Sequence, residues 1–420
     1  MALKSGPPRR LAPRPLPLHL LNAIGLWASS RAVLPLSRSG SLLWRLDHAE
    51  AASALQKSLA AVAYKDIAAA VDRELRTRAD AFLTGIERYR GHPYRRALAD
   101  PPVLWQEGTT RLLDFGPVGA APLLVVPSLI NRSYILDLAP DTSLLRHLAA
   151  SGIRPLLVDW GAPDAVERSF TLTDYIAGRL EAAATAAADI AGAPMGVMGY
   201  CMGGLLALAL AARRPRLVKA LAFLATPWSF HAERAEQARL VGALDIPCAL
   251  TFAALGELPV DVLQALFTAV DPLVALRKYT KFAAMDQKSA AAQRFVALED
   301  WLNDGVPLAL PVARECLGGW YGADTPGSGR WRIAGRAIQP AQIAQPSLVV
   351  VPAQDRIVPP AGARALAAAL PAGECLTPPL GHIGMIVGHD APRLVWQPLT
   401  AWLRRHLPTG SQSRRRGLSK

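Results

Sequence analysis

The chain of 420 residues is 51% hydrophobic and 19% charged, enough to bury a sizeable core in one large domain with additions, which excludes a disordered or fibrous protein. Its four cysteines, Cys201, Cys248, Cys316 and Cys375, form no Cys-x-x-Cys pair, so a reactive thiol in a reducing cytoplasm is expected rather than a disulfide scaffold or structural zinc. The formal charge of +13 sits at the ends: residues 1–40 and 401–420 each hold six Lys or Arg and no acid, leaving a nearly neutral body unsuited to tracking nucleic-acid phosphates.

Residues 1–16 carry Pro7, Pro8, Pro13 and Pro15, which oppose a helix and predict a disordered basic end. Residues 17–100 read as an N-terminal helical region, with Leu55, Leu59, Val62, Ala63 and Ile67 on one face and Phe82, Ile86 and Tyr89 repeating it. Residues 18–36 are the nearest approach to the ~20 apolar residues of a membrane span, but His19, Asn22, Ser29, Ser30 and Arg31 interrupt them. No transmembrane segment is expected, and no processing site follows the apolar run.

Residues 101–225 read as the first part of a sheet-centred core. A strand or strand pair is predicted over 105–114 and strands over 123–126, 155–158, 195–198 and 218–224. Helices are predicted over 143–150 and 174–190, the latter capped by Thr173. This alternation implies a mostly parallel sheet covered on both faces. Over 226–339 it lapses; helices at 259–270 and 287–301 suggest a cap insertion roofing the site. The core resumes over 340–408 with a strand at 347–351 and helices at 361–370 and 398–407, before a flexible basic tail at 409–420.

The chemistry centres on Gly199-Tyr200-Cys201-Met202-Gly203, between an apolar strand and an apolar helix that starts at Gly204. This is the sharp turn on which an α/β-hydrolase exposes its nucleophile, with sulfur in place of oxygen. Gly199 and Gly203 allow helix and strand to approach, and Gly204 keeps the first turn bare. Asp355 follows a predicted strand and His382 sits in a Gly-flanked loop, completing the chain order of a nucleophile–acid–base triad. In these roles Cys201 attacks an acyl carbon, His382 takes its proton, and Asp355 orients the imidazole. The oxyanion donors are expected to be the N–H groups of Met202 and of Ser128, since Pro127 has none.

Other residues carry weaker signals. Cys248, Cys316 and Cys375 read as packing residues, and Trp160, Trp228, Trp301 and Trp320 as core or cap packing, although each tryptophan falls where an acyl tunnel could run. His389 reads as a helix-surface or cap group. His147 and His231 join no cluster of metal-ligand type, so neither a metal nor a cofactor is expected.

The chain resembles the polyhydroxyalkanoate synthases of the α/β-hydrolase superfamily. The likeness is carried by the elbow through Gly204, by Pro127-Ser128-Leu129-Ile130-Asn131-Arg132-Ser133-Tyr134-Ile135-Leu136-Asp137-Leu138 and by Asp159-Trp160-Gly161. It continues through Thr171-Leu172-Thr173-Asp174-Tyr175-Ile176, Glu299-Asp300-Trp301, Asp355-Arg356-Ile357-Val358-Pro359 and Gly381-His382-Ile383-Gly384. Most of it is close to the short synthases that act with a partner subunit, whereas residues 17–44 resemble the longer, self-sufficient ones. Gly322-Ala323-Asp324-Thr325 departs from the Asn-x-Leu segment usual in the family. The resemblance implies that Cys201 carries the growing polymer as a thioester. It implies too that His382 activates both the thiol and the 3-hydroxyl of an incoming (R)-3-hydroxyacyl-CoA, with Asp355 assisting. It further implies a homodimer, a polyester product, and a cytoplasmic place on polymer granules or beside a synthase subunit. Two other readings use the same residues: a Cys-His-Asp thioesterase or intracellular polyester hydrolase, with water as acceptor, and a granule-associated scaffold without catalysis.

Overall fold

The structure is a computed structural model and describes residue 10 and residues 13–407. The expected basic ends therefore fall mostly outside the described residues. Two compact units are present, one of residues 1–95 with 264–303, the other of 96–263 with 304–420.

The larger unit is built on eight strands: β1 (Val103–Glu107), β2 (Thr110–Asp114), β3 (Ala121–Val126), β4 (Ile153–Asp159), β5 (Met195–Tyr200), β6 (Val218–Leu224), β7 (Ser347–Val350) and β8 (Gly373–Leu376). Their spatial order is β1-β2-β4-β3-β5-β6-β7-β8. The β1–β2 and β2–β4 pairs are antiparallel, and the other pairs are parallel. The expected strand pair over 105–114 is the β1–β2 hairpin. All residues of β4 and β5 are buried, as continuous apolar strands covered on both faces must be. Arg154, inside β4, is tolerated because Asp114 on β2 receives two of its N–H groups at 3.1 and 2.7 Å, a charge-assisted fork that satisfies both partners.

Three expectations change here. The helix after β4 is capped by Thr171, not Thr173: the Thr171 hydroxyl accepts the Asp174 N–H at 3.3 Å, and the Asp174 carboxylate accepts the Thr171 N–H at 2.8 Å, a reciprocal capping box. Thr173 has helical dihedrals and makes no cap bond. The helix opens with a wide π segment over Asp174–Leu180 and continues as an α-helix over Glu181–Ala191. Strand β8 gave no apolar signal because it is an exposed edge, and Cys375 within it is exposed rather than packed.

The smaller unit is helical, as expected for the N-terminal region, and includes helices Val274–Ala283 and Ala290–Asn303. Phe82, Ile86 and Tyr89 do form a buried face, packed with Tyr279, Phe282 and Val296; full burial of each large side chain contributes roughly 1.5–3 kcal/mol. The expected face from Leu55 to Ile67 forms only in part: Leu59 packs against the cluster of buried Ile67, but Leu55 and Val62 do not join it. The chain leaves the helix after Ala60 and restarts at Tyr64, so Leu55 and Val62 stay exposed. The Glu299-Asp300-Trp301 motif belongs to this unit. Glu299 accepts from Tyr279 Oη at 2.9 Å and pairs with Lys278 at 2.8 Å, while Asp300 accepts from Tyr89 Oη at 3.0 Å and from Arg10 at 2.6 Å. These carboxylates tie helices together. Among the described residues, no helix is long and apolar enough to cross a membrane.

Candidate active site

Strand β5 ends at Tyr200, and the helix Met202–Arg213 starts two residues later, leaving Cys201 to turn the chain. Its dihedrals, φ 54° and ψ −127°, lie in a region that L-residues rarely adopt and that costs of order 1–3 kcal/mol. Two backbone bonds hold the strained residue: its N–H donates to Leu224 O at 2.8 Å and its carbonyl accepts the Gly204 N–H at 3.0 Å.

The tightness of this corner explains the glycines. A Cβ on Gly203 would sit 2.1 Å from Val126 O, and one on Gly199 would sit 2.4 Å from the Gly204 Cα. Gly203 thus lets the helix touch the end of β3 as well as the strand that precedes it. We predict that Gly203→Ala destabilises the chain by about 3 kcal/mol or more, because the obstacle is backbone and has no rotamer to yield. A urea-unfolding midpoint equal to that of the parent chain would refute this.

The proposed acid and base meet. His382 Nδ1 lies 2.7 Å from Asp355 Oδ2, and both residues are buried, 8% and 5% exposed. The other Asp355 oxygen accepts the N–H groups of Ile357 and Val358, each at 2.8 Å, so the carboxylate is held on both sides. The loops carrying the pair are joined by backbone bonds from Ala353 N–H to Pro378 O (2.8 Å) and from Gln354 N–H to Leu380 O (2.9 Å). With Nδ1 committed to Asp355, Nε2 is left free to face a thiol, and the Cys201 charge reaches the ring. Burial acts to lower the pKa of His382. The Cys201 charge, the Asp355 hydrogen bond, the Cys201 hydrogen bond and the Asp355 charge outweigh it and raise the value to about 10. The buried His382–Asp355 pair has the form of the base and orienting acid of a triad, with Cys201 at the elbow as its candidate nucleophile.

The two expected oxyanion donors are also near. Met202 opens the elbow helix, and Ser128 lies two residues beyond Val126, whose carbonyl abuts Gly203. Ser128 Oγ accepts the Ile130 N–H at 3.0 Å and shapes the turn. Among the described residues, neither the Met202 nor the Ser128 N–H finds an acceptor. Trp160 fixes the same loop by donating Nε1–H to Pro127 O at 3.0 Å, so this tryptophan packs rather than lines a tunnel; Trp228, Trp301 and Trp320 are likewise buried.

Sequence reasoning missed Tyr200. Its hydroxyl donates to His382 O at 3.3 Å, and its ring lies 5.3 Å from the imidazole, so it helps to hold His382 in place. His147 packs on Trp396 and contacts Thr400, His231 contacts Tyr321 O, and His389 is exposed. None of the three competes for the role of base. Cys248 and Cys316 are buried. Among the described residues, no group of three His, Cys, Asp or Glu is arranged to hold a metal.

A family profile described as the alpha/beta hydrolase fold matches residues 121–247. Among known proteins, the chain is 29% identical to the poly(3-hydroxyalkanoate) polymerase subunit PhaC of Allochromatium vinosum, over 67% of this chain and 80% of that protein. It is 28% identical to the protein of that name from Synechocystis, over 77% and 90% of the two chains. The likeness to the Haloferax mediterranei protein of that name is 26%, over 74% of this chain and 64% of the longer relative. Together with the strand order and the cysteine elbow, these matches show an α/β-hydrolase fold in a chain that is similar, over most of its length, to poly(3-hydroxyalkanoate) polymerase subunits.

Proposed function

We propose that this chain is an acyltransferase that polymerises (R)-3-hydroxyacyl-CoA into polyester with release of CoA. The observation that carries the reading is the 2.7 Å His382–Asp355 contact in a chain whose strand-to-helix elbow holds a cysteine and which is 29% identical to a poly(3-hydroxyalkanoate) polymerase subunit. In the first half-reaction Cys201 Sγ attacks the thioester carbonyl, its proton passes to His382 Nε2, and the CoA sulfur departs with that proton. The oxyanion forms opposite the Met202 and Ser128 N–H groups. In the second half-reaction the 3-hydroxyl of a hydroxyacyl group gives its proton to His382 and attacks the acyl carbon held on Cys201, forming an ester bond and freeing the thiol.

The raised pKa of His382 supports this two-stroke use. Much of the raising comes from charge on Cys201, and that charge vanishes once the sulfur is acylated. The imidazole then becomes a weaker holder of its proton and a freer base for the hydroxyl. Water competes for the same acyl carbon. We assign its exclusion to the parts of the expected insertion that lie in the larger unit, 226–263 and 304–339, a role supported by the packing of Phe230 on Trp320 and Tyr321 there.

Incubation with (R)-3-hydroxybutyryl-CoA tests the proposal. Insoluble polyester and free CoA are expected; free 3-hydroxybutyrate and CoA alone would identify a thioesterase or hydrolase instead. Activity as a homodimer or on cytoplasmic granules is part of the same proposal, as is activity beside a further subunit, which alone is supported by relatives named as polymerase subunits. Sedimentation of the purified chain with and without nascent polymer tests it: a monomer that never joins the polymer fraction refutes it.

A further inference from the structure

The loop that leaves β6 starts beside the nucleophile. Leu224 O accepts the Cys201 N–H, and Thr226 abuts Gly204. The far end of this loop grips a second segment, the wide π turn Glu315–Gly322 and the bend that follows it. Phe230 meets the ring of Tyr321 edge-on at 4.9 Å, and His231 Nε2 contacts Tyr321 O at 2.8 Å. Asp324, buried and held at φ 45°, accepts from Ser229 Oγ at 3.0 Å and from the N–H groups of Phe230 at 2.9 Å and Gly327 at 3.2 Å. Ring, backbone and following bend thus anchor Tyr321 to a loop rooted at Cys201.

The hydroxyl of Tyr321 is not used in this anchoring. The tyrosine hydroxyls at 89, 200 and 279 each donate to a carboxylate or carbonyl, as buried phenols do. Tyr321 Oη bonds to no described residue, although the side chain is only partly open to solvent. Burial, and after it the charge of Cys201, push its pKa up, so it stays an O–H donor at any working pH. A rigid ring, an idle donor and a seat on a loop rooted at the reacting residue describe a group waiting for a ligand atom.

We infer that Tyr321 is a specificity-determining positioning residue whose hydroxyl donates to the 3-oxygen of the acyl group carried on Cys201. This rests on the polymerase reading and deepens it. The 3-oxygen is a hydroxyl in the first acyl unit and an ester oxygen once the chain has grown. Both accept a hydrogen bond, so an O–H donor serves every cycle, whereas a carboxylate would be left facing an ester with nothing to accept. His382 remains the proton acceptor, and Tyr321 sets where the acyl chain lies.

The test is single-turnover CoA release from (R)-3-hydroxybutyryl-CoA and from butyryl-CoA, with the parent chain and with Tyr321→Phe. The variant should keep its unfolding midpoint, because the lost hydroxyl has no protein partner. Its preference for the 3-hydroxy substrate should fall about tenfold to a hundredfold, through slower reaction of that substrate alone. An unchanged preference, or equal slowing of both substrates, would overturn the assignment while leaving the polymerase reading intact. Failure of the parent chain to release CoA from either substrate would sink both.

Discussion

Cys201→Ala is expected to lower CoA release from a hydroxyacyl-CoA by at least about 10⁴-fold, because loss of the nucleophile leaves only binding and oxyanion stabilisation. No labelled acyl adduct should form; an adduct on the variant protein would refute the role of the sulfur. Cys201→Ser should also be poor, since the same imidazole must deprotonate a much weaker acid and the oxygen ester resists the second transfer. The alanine variant carries a second readout. In the parent chain, the charge on Cys201 helps to raise the His382 pKa to about 10 from an ordinary 6.5. A raised value means that the imidazolium persists below it and is lost as the pH rises through it, so removing the sulfur must move that loss to lower pH. Histidine NMR titration of the two proteins measures the shift; an unchanged midpoint would mean that sulfur and ring do not interact.

Asp355→Asn should retain the fold and lose about 10³- to 10⁴-fold in turnover. The asparagine oxygen can still accept the Ile357 and Val358 N–H groups, which the parent carboxylate receives at 2.8 Å each. Its amide N–H₂ then faces Nδ1, which becomes an acceptor and leaves the proton on Nε2, where the thiol must deliver its own. The imidazole is intact but in the wrong tautomer. His382→Gln should be as severe, with no acyl-enzyme accumulating. Turnover within tenfold of the parent for Asp355→Asn would show that the carboxylate does not set the tautomer.

Much of this site could be read from residue order because its parts obey local rules. The elbow needs glycines where a strand turns into a helix, and those positions are the ones where a Cβ would meet backbone. Asp355 and His382 follow strand ends, as the sheet order requires. Phe82, Ile86 and Tyr89 kept the spacing of one helix, so their shared burial was predictable. What escaped depends on contacts between distant segments. Strand β8 carries no apolar run, since it lies at an edge and pairs only with β7. Thr171 and Thr173 both precede Asp174 at the start of the helix, and only the reciprocal bonds decide which of them is the cap. Leu55 and Val62 were lost to a break in the helix that their period does not reveal. Tyr321 is separated from Cys201 by 120 residues, and no local pattern announces that a loop after β6 will bring it there.

The backbone clasp between residues 353–354 and 378–380 has a consequence for how such an enzyme can change. Peptide groups, which every substitution except proline leaves in place, knit the two sides of the clasp. Side chains along it can therefore be exchanged while the carboxylate and the imidazole keep their spacing. Diversification of these side chains is thereby separated, at this corner of the molecule, from preservation of the proton path.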